Sequence, residues 1–139
     1  MFEKIIFPFD FSKFSEMAVS YVEKLMEFGA KEVVLVNVLE YEELTTRPLS
    51  KIELEEYKKG SYDRLNGIKE ILEKSGLKVY IRVEFGIPSK VITAVAEEEK
   101  ANLIVVSSTG AGYTPSLIGS TVQNIIRLSK IPVLVIPSF

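Results

Sequence analysis

Apolar and polar positions along this chain fall into two alternating rhythms. Lys4–Phe9 (Lys-Ile-Ile-Phe-Pro-Phe) is a short apolar run that predicts a first strand. Ser12 then stands as a helix N-cap. Phe14, Met17, Ala18, Tyr21, Val22, Leu25 and Phe28 follow at helical spacing, and Gly29 closes that helix. Glu32–Leu39 is β-branched and reads as a second, buried strand. Tyr41–Ser50, with Pro48, reads as a loop. Leu54, Tyr57, Leu65, Ile68 and Leu72 mark a second helix from about Ile52 to Lys74. Gly60 and Gly67 sit inside it, each costing about 1 kcal/mol relative to Ala.

Gly76 ends the second helix. Leu77, Val79, Ile81, Val83 and Phe85 then alternate with Lys78, Tyr80, Arg82 and Glu84, which predicts an edge strand with one wet face. Gly86-Ile87-Pro88 turns the chain, and Pro88 suits the first position of a third helix carrying Val91, Ile92, Val95 and Ala96. Leu103–Val106 is a fourth strand. It runs into a loop of glycines and hydroxyls, then a helix opening at Gly119-Ser120-Thr121, then an apolar last strand, Val133–Ile136.

Strand and helix thus alternate four times before a closing strand. That order predicts an α/β fold, a parallel sheet with helices on both faces. No repeat, linker or low-complexity segment interrupts it, so residues 1–139 read as one domain. In open α/β sheets a ligand sits beyond the C-terminal ends of the strands, where the winding reverses. The segments just after strands one and four are therefore the places to look.

Composition narrows the chemistry. Cys and His are both absent, which removes disulfides, thiol nucleophiles, His-based triads and the commonest transition-metal ligand. The net charge is −2, and Lys and Glu alternate along helices as on a solvated face, so nucleic acid is not an expected partner. No apolar run approaches the roughly 18–20 residues of a membrane span, and Met1-Phe2-Glu3-Lys4 leads straight into a strand without a signal peptide. A soluble, cytoplasmic protein is expected.

Two segments carry candidate chemistry. Asp10, one of only two aspartates, lies where strand one ends and a helix begins. It either caps that helix locally or contacts a ligand ribose or a phosphate-bound metal. The stretch from Ser107 to Thr121 combines Gly110, Gly112 and Gly119 with the hydroxyls of Ser107, Ser108, Thr109, Thr114, Ser116, Ser120 and Thr121. Small residues before a helix N-terminus expose backbone N–H groups beside a partial positive charge, the arrangement that holds phosphate. The alternative is a surface loop ending in a capped helix. A P-loop is absent, and Pro115 stands where a dinucleotide fingerprint needs its third glycine.

These residues together resemble the universal stress protein family. Ile5–Ser12 (Ile-Ile-Phe-Pro-Phe-Asp-Phe-Ser) is similar to its opening strand and turn, and Glu32–Leu39 to its second strand. Phe85-Gly86-Ile87-Pro88 resembles its Gly-x-Pro helix opening. Asn102–Gly110 and Gly119–Ile136 resemble its nucleotide loop, last helix and closing strand. The likeness spans essentially the whole chain. It implies a Rossmann-like, open, parallel five-stranded sheet of order 3-2-1-4-5 and a homodimer paired through Val133–Ile136 at the sheet edge.

The family divides into ATP binders and non-binders, and the binders carry Gly-x2-Gly-x9-Gly-Ser/Thr. Here Ser107 stands at the first glycine position, Gly110 at the second and Gly119-Ser120 at the third. Eight residues rather than nine separate Gly110 from Gly119, and no Lys or Arg lies between Lys100 and Arg127. Asp10 matches the binders' strand-one aspartate. The resemblance implies a site for ATP or AMP, with Mg²⁺ as a candidate companion, built from Pro8, Asp10, Val38, Ser107, Thr109, Gly110, Gly119, Ser120 and Thr121. In it Asp10 holds the ribose or metal side, the Val38 backbone meets the adenine edge, Ser107 lines the ribose pocket, and Gly110, Gly119, Ser120 and Thr121 hold phosphates. The leading expectation is a stress-response binding module whose contacts with an unidentified protein partner change with occupancy. The alternative is a nucleotide-free interaction dimer of the same fold. A slow ATPase is a third reading, with Asp10 its only nearby carboxylate.

Overall fold

The computed structural model describes residues 1–40, 44–109 and 118–137. Its elements are β1 (Lys4–Pro8), α1 (Lys13–Lys24), β2 (Glu32–Leu39), α2 (Lys51–Lys74), β3 (Lys78–Phe85), α3 (Pro88–Glu98), β4 (Leu103–Ser107), α4 (Ser120–Leu128) and β5 (Val133–Ile136). The strands form a five-stranded sheet in the order β3-β2-β1-β4-β5, and every neighbouring pair runs parallel. The α/β architecture is the one the alternation of elements predicts, and the strand order is the one the family resemblance implies.

Successive strand residues point to opposite faces, and the core divides accordingly. Ile5, Phe7, Val33 and Leu35 pack with Ala18 and Val22 of α1 and Leu65 and Leu72 of α2. Ile6, Val34 and Val36 pack on the other face with Ile92 and Val95 of α3 and Val122 and Ile125 of α4. Burial on both faces is why β1 and β2 read as nearly continuous apolar runs. α1 is narrower than its apolar pattern: Met17, Tyr21 and Phe28 are exposed. It ends at Lys24, and a 3-10 turn over Leu25–Phe28 carries the chain to Gly29 at φ 96°.

Local chemistry sets the boundaries. The Ser12 hydroxyl accepts from the Ser15 N–H at the start of α1. Ser50 and Glu53 form a reciprocal capping box at the start of α2. Arg47 bonds the Glu53 carboxyl and holds its pKa down to about 2. Gly86 has φ 146°, and a Cβ there would lie 2.8 Å from Val91 Cγ2, so both backbone and packing require glycine before α3. Pro88 takes the first position of α3. β1 stops at Pro8, one residue short of the predicted end. The Phe9 N–H still donates to the Val36 carbonyl at 2.7 Å, but the Phe9 carbonyl turns to the Asn37 side chain instead of a strand.

β3 lies at one edge, as its alternation predicts, but its polar face is not simply wet. Arg82 is half-buried between Glu84 of its own strand, at 2.8 Å, and Glu98 and Glu99 at the end of α3, at 3.0 and 3.1 Å. Lys4 joins this cluster through Glu99 at 2.9 Å. The face is polar because carboxylates, rather than apolar side chains, cover it.

Two stability outcomes follow. A Cβ added at Gly67 meets nothing within 4 Å, so Gly67→Ala should stabilise the protein by about 0.5–1 kcal/mol in urea denaturation; a loss of stability would contradict the placement of this helix face. The Lys4 ammonium, bonded to Glu99, holds that carboxyl below its ordinary value of 4.5, and Arg82 adds to the effect. A depressed carboxylate pKa contributes stability above the unfolded pKa and loses it as pH falls through the folded one. The stability difference between wild type and Lys4→Met should therefore be larger at pH 7 than at pH 3; a pH-independent difference would refute the pairing.

Candidate functional site

β1 connects to β2 on one side and has β4 on the other. The helices that follow β1 and β4 leave towards opposite faces, so a cleft opens between them at the C-terminal ends of these strands. The structure has a cleft of about 770 Å³ here, within the range that accommodates a small-molecule ligand.

Of the residues predicted for the site, Pro8, Asp10, Val38, Ser107, Thr109, Gly119, Ser120 and Thr121 all line this one cleft. Gly110 lies outside the described residues. Pro8 and Asp10 come from the end of β1, Val38 from the end of β2, and Ser107 from the end of β4. The first turn of α4 supplies Ser120 and Thr121. The Gly119 N–H donates to the Ser108 carbonyl at 2.9 Å and ties the start of α4 to the end of β4. The Ser107 hydroxyl donates to the Thr109 carbonyl at 2.9 Å.

Asp10 is exposed on the cleft rim, and its local role is real. Its Oδ1 accepts from the Ser12 N–H at 3.0 Å and from the Ser15 hydroxyl at 2.7 Å. The carboxylate thus stabilises the opening of α1 while lining the cleft, so the two sequence readings of this residue are compatible. Gly119 occupies the N-cap of α4 with φ −65° and ψ 154°, and no side chain caps that helix. An added Cβ would meet only Ser108 O at 3.9 Å and Thr109 Cα at 4.0 Å. Neither backbone nor packing demands glycine at this position.

α2, which sequence reasoning did not connect to the site, supplies a further wall of the cleft. Glu56, Tyr57, Gly60, Ser61 and Arg64 line it, spaced to share one helix face. Ser61 and Asn37 are both buried. The Ser61 hydroxyl donates to Asn37 Oδ1 at 2.6 Å, and Asn37 Nδ2 donates to the Phe9 carbonyl at 2.9 Å. This chain of bonds ties α2 to the turn that carries Asp10. One signal was readable: Asn37 is the sole polar side chain between Val33 and Leu39. Phe11 has φ 64°, a left-handed conformation that costs a bulky residue on the order of 1–2 kcal/mol. Its ring stands edge-on to Phe9 at 5.4 Å and beneath the Arg64 guanidinium at 3.8 Å.

Among the described residues, no group of three or more carboxylates gathers as a metal site, and no helix is long and apolar enough to cross a membrane.

A fold of this strand order with its cleft at the β1/β4 reversal defines a Rossmann-like α/β class. Within it, the universal stress protein family model matches residues 1–137, and the chain belongs to that family. It is 30% identical to Universal stress protein MJ0577 of Methanocaldococcus jannaschii, over 98% of this chain and 95% of that protein. The solved structure of MJ0577 superposes with a TM-score of 0.86 at 31% identity, covering 98% and 96% of the two chains. That of the hypothetical protein PH0823 gives 0.81 at 35% identity, covering 97% and 94%. Two more distant universal stress proteins share the fold at TM-scores of 0.72 and 0.68. The first, 21% identical, was solved in complex with cAMP over 99% and 98% of the chains. The second, from Archaeoglobus fulgidus and 17% identical, was solved with dAMP over 97% and 97%.

The Asn37 network gives a direct test. Asn37→Ala leaves the Ser61 hydroxyl and the Phe9 carbonyl buried without this partner and should cost about 1–3 kcal/mol in denaturant melts. The double variant Asn37→Ala/Ser61→Ala should cost less than the sum of the single changes. Strict additivity would show that the two residues do not act as a unit.

Proposed function

We propose that the cleft binds an adenine nucleotide, AMP or ATP, and that the protein acts as a nucleotide-responsive stress-response module. The observation that carries this reading is the bare N-cap of α4. Gly119 is a glycine that the protein's own backbone and packing do not require, at a helix N-terminus facing the cleft. A ligand oxyanion can approach the first-turn N–H groups there without meeting a side chain, and the helix dipole favours its charge. In this reading Ser120 and Thr121 hold phosphate with Gly119, and Gly110 adds to that grip. Asp10 and Ser107 face the ribose, Thr109 supports the loop, and Pro8 with the Val38 backbone flanks the base. Mg²⁺ would arrive with the phosphates of ATP. The cAMP and dAMP complexes of the two distant members are consistent with such a ligand.

A homodimer through β5 is the second part of the proposal. In β5, Leu134 is 36% exposed, which favours an edge open to a partner over one sheathed by its own helices. Ile118, Ile126 and Leu128, from the segment before β5, are exposed apolar residues as well. The Ile104 and Ser108 N–H groups donate to the carbonyls of Pro132 and Ile136. By the alternation of a parallel ladder, Val133 and Val135 then turn their N–H groups outward, where a second copy can pair.

Calorimetry with AMP and with ATP plus Mg²⁺ should give micromolar-range affinity, and either ligand should raise the melting temperature. No heat and no thermal shift at millimolar ligand would favour the nucleotide-free interaction dimer. Gly119→Asp has space for its side chain and places a good capping residue at the N-cap, so the fold should persist while phosphate is repelled. Unchanged AMP affinity in that folded variant would mean the phosphate lies elsewhere. Sedimentation should give a dimer mass for wild type and a monomer for Val135→Pro, which removes an outward donor without touching the ladder to β4. A monomeric wild type at micromolar concentration would refute the pairing.

A further inference from the structure

The segment from Ala101 to Ile126 contains no charged residue of either sign, so the phosphate end of the cleft has only partial charges of its own. A bound phosphate gains far more from a full cation with forked donors than from neutral N–H groups alone. Among the described residues that line the cleft, Arg64 is the sole cation, against the carboxylates of Asp10, Glu40 and Glu56.

Three features set Arg64 apart from the other arginines for which contacts are given. Arg82 is held by Glu84, Glu98 and Glu99, and Arg47 by Glu53. Among the described residues Arg64 makes no hydrogen bond or ion pair; its contact is the Phe11 ring, 3.8 Å below the guanidinium carbon. A guanidinium stacked by its face keeps all its N–H donors directed around its rim. Phe11 is itself braced against buried Phe9, so the platform is firm. One turn earlier on the same face of α2 stands Gly60, where an added Cβ would meet nothing within 4 Å. The helix is bare beside Arg64, and the cleft is open to it.

We propose that Arg64 is the ligand-contacting cation of this cleft: presented by Phe11, it binds the phosphate of the nucleotide and supplies the full positive charge that residues 101–126 lack. The inference rests on the nucleotide reading above and adds to it a residue from α2. Its mark is dependence on phosphate. Arg64 should distinguish AMP from adenosine and leave adenosine nearly indifferent to its loss.

The test is calorimetric titration of adenosine and AMP into wild type, Arg64→Met and Arg64→Lys, with AMP repeated at two salt concentrations. Wild type should bind AMP more tightly than adenosine. Arg64→Met should lose about 10- to 100-fold in AMP affinity, the worth of a charge-assisted bond, with adenosine affinity changed by less than about threefold. Arg64→Lys, which keeps the charge but not the fork, should fall between. The salt dependence of AMP binding should be shallower in Arg64→Met. Arg64 is on an exposed helix surface, so circular dichroism melts should show both variants folded. Equal weakening of adenosine and AMP would overturn the proposal, since Arg64 would then stack on the base. Undiminished AMP affinity in Arg64→Met would also overturn it while leaving the nucleotide reading intact. Wild type that binds neither ligand would remove both.

Discussion

β1 cannot pair with two parallel neighbours unless the chain winds in opposite senses on either side of it. β2 and β3 are laid down to one side, β4 and β5 to the other, and right-handed crossovers then force the helices onto opposite faces. Where the two windings part, the described residues leave a cleft. Every feature of the candidate site follows from that cleft. The turn after β1 brings Asp10 and Phe11 to its rim, the segment after β4 brings Ser107 and the start of α4, and α2 closes the side towards β2.

The elements were legible because their signals are local. Ser12, Gly29, Gly76 and Pro88 act on the few residues around them, and the β2 limits, Glu32–Leu39, coincide with the predicted ones. The strand order came instead from family resemblance, since alternation alone permits several windings. The loops after β1 and β4 could be selected because the rule on winding reversal names them in advance. Phe11, Ser61 and Arg64 were not legible as parts of the site, and Asn37 showed only as a lone polar residue in a buried strand. Arg64 sits in a helix rich in Lys and Glu, where one more charge looks like a solvated face. Only the packing of α2 against the β1 turn turns it towards the cleft. Met17, Tyr21 and Phe28 failed in the opposite sense: their spacing is that of a core face, yet α1 is narrow enough to bury its helix face without them.

Polar groups in this protein do double duty. Asp10 steadies the start of α1 and faces the cleft with the same carboxylate. Asn37 completes a buried chain of hydrogen bonds and thereby sets the carbonyl direction of Phe9, the residue before Asp10. Two of the helices bring their own caps, Ser12 and Ser50, whereas α4 opens on a glycine. α3 has no side-chain cap at Ile87 either, but its first residue is Pro88, which has no N–H to leave unmet.

The rings of Phe7, Phe9 and Phe11 form a continuous edge-to-face series, with centroids 5.8 and 5.4 Å apart, running from beneath the sheet to the rim of the cleft. Phe7 and Phe9 are almost wholly buried, so neither can swing aside without opening a void in a close-packed interior. The compliance of that wall is therefore the compliance of the core itself. Phe11 cannot yield towards the protein, and a molecule entering the cleft meets on this side a surface as stiff as a lattice plane.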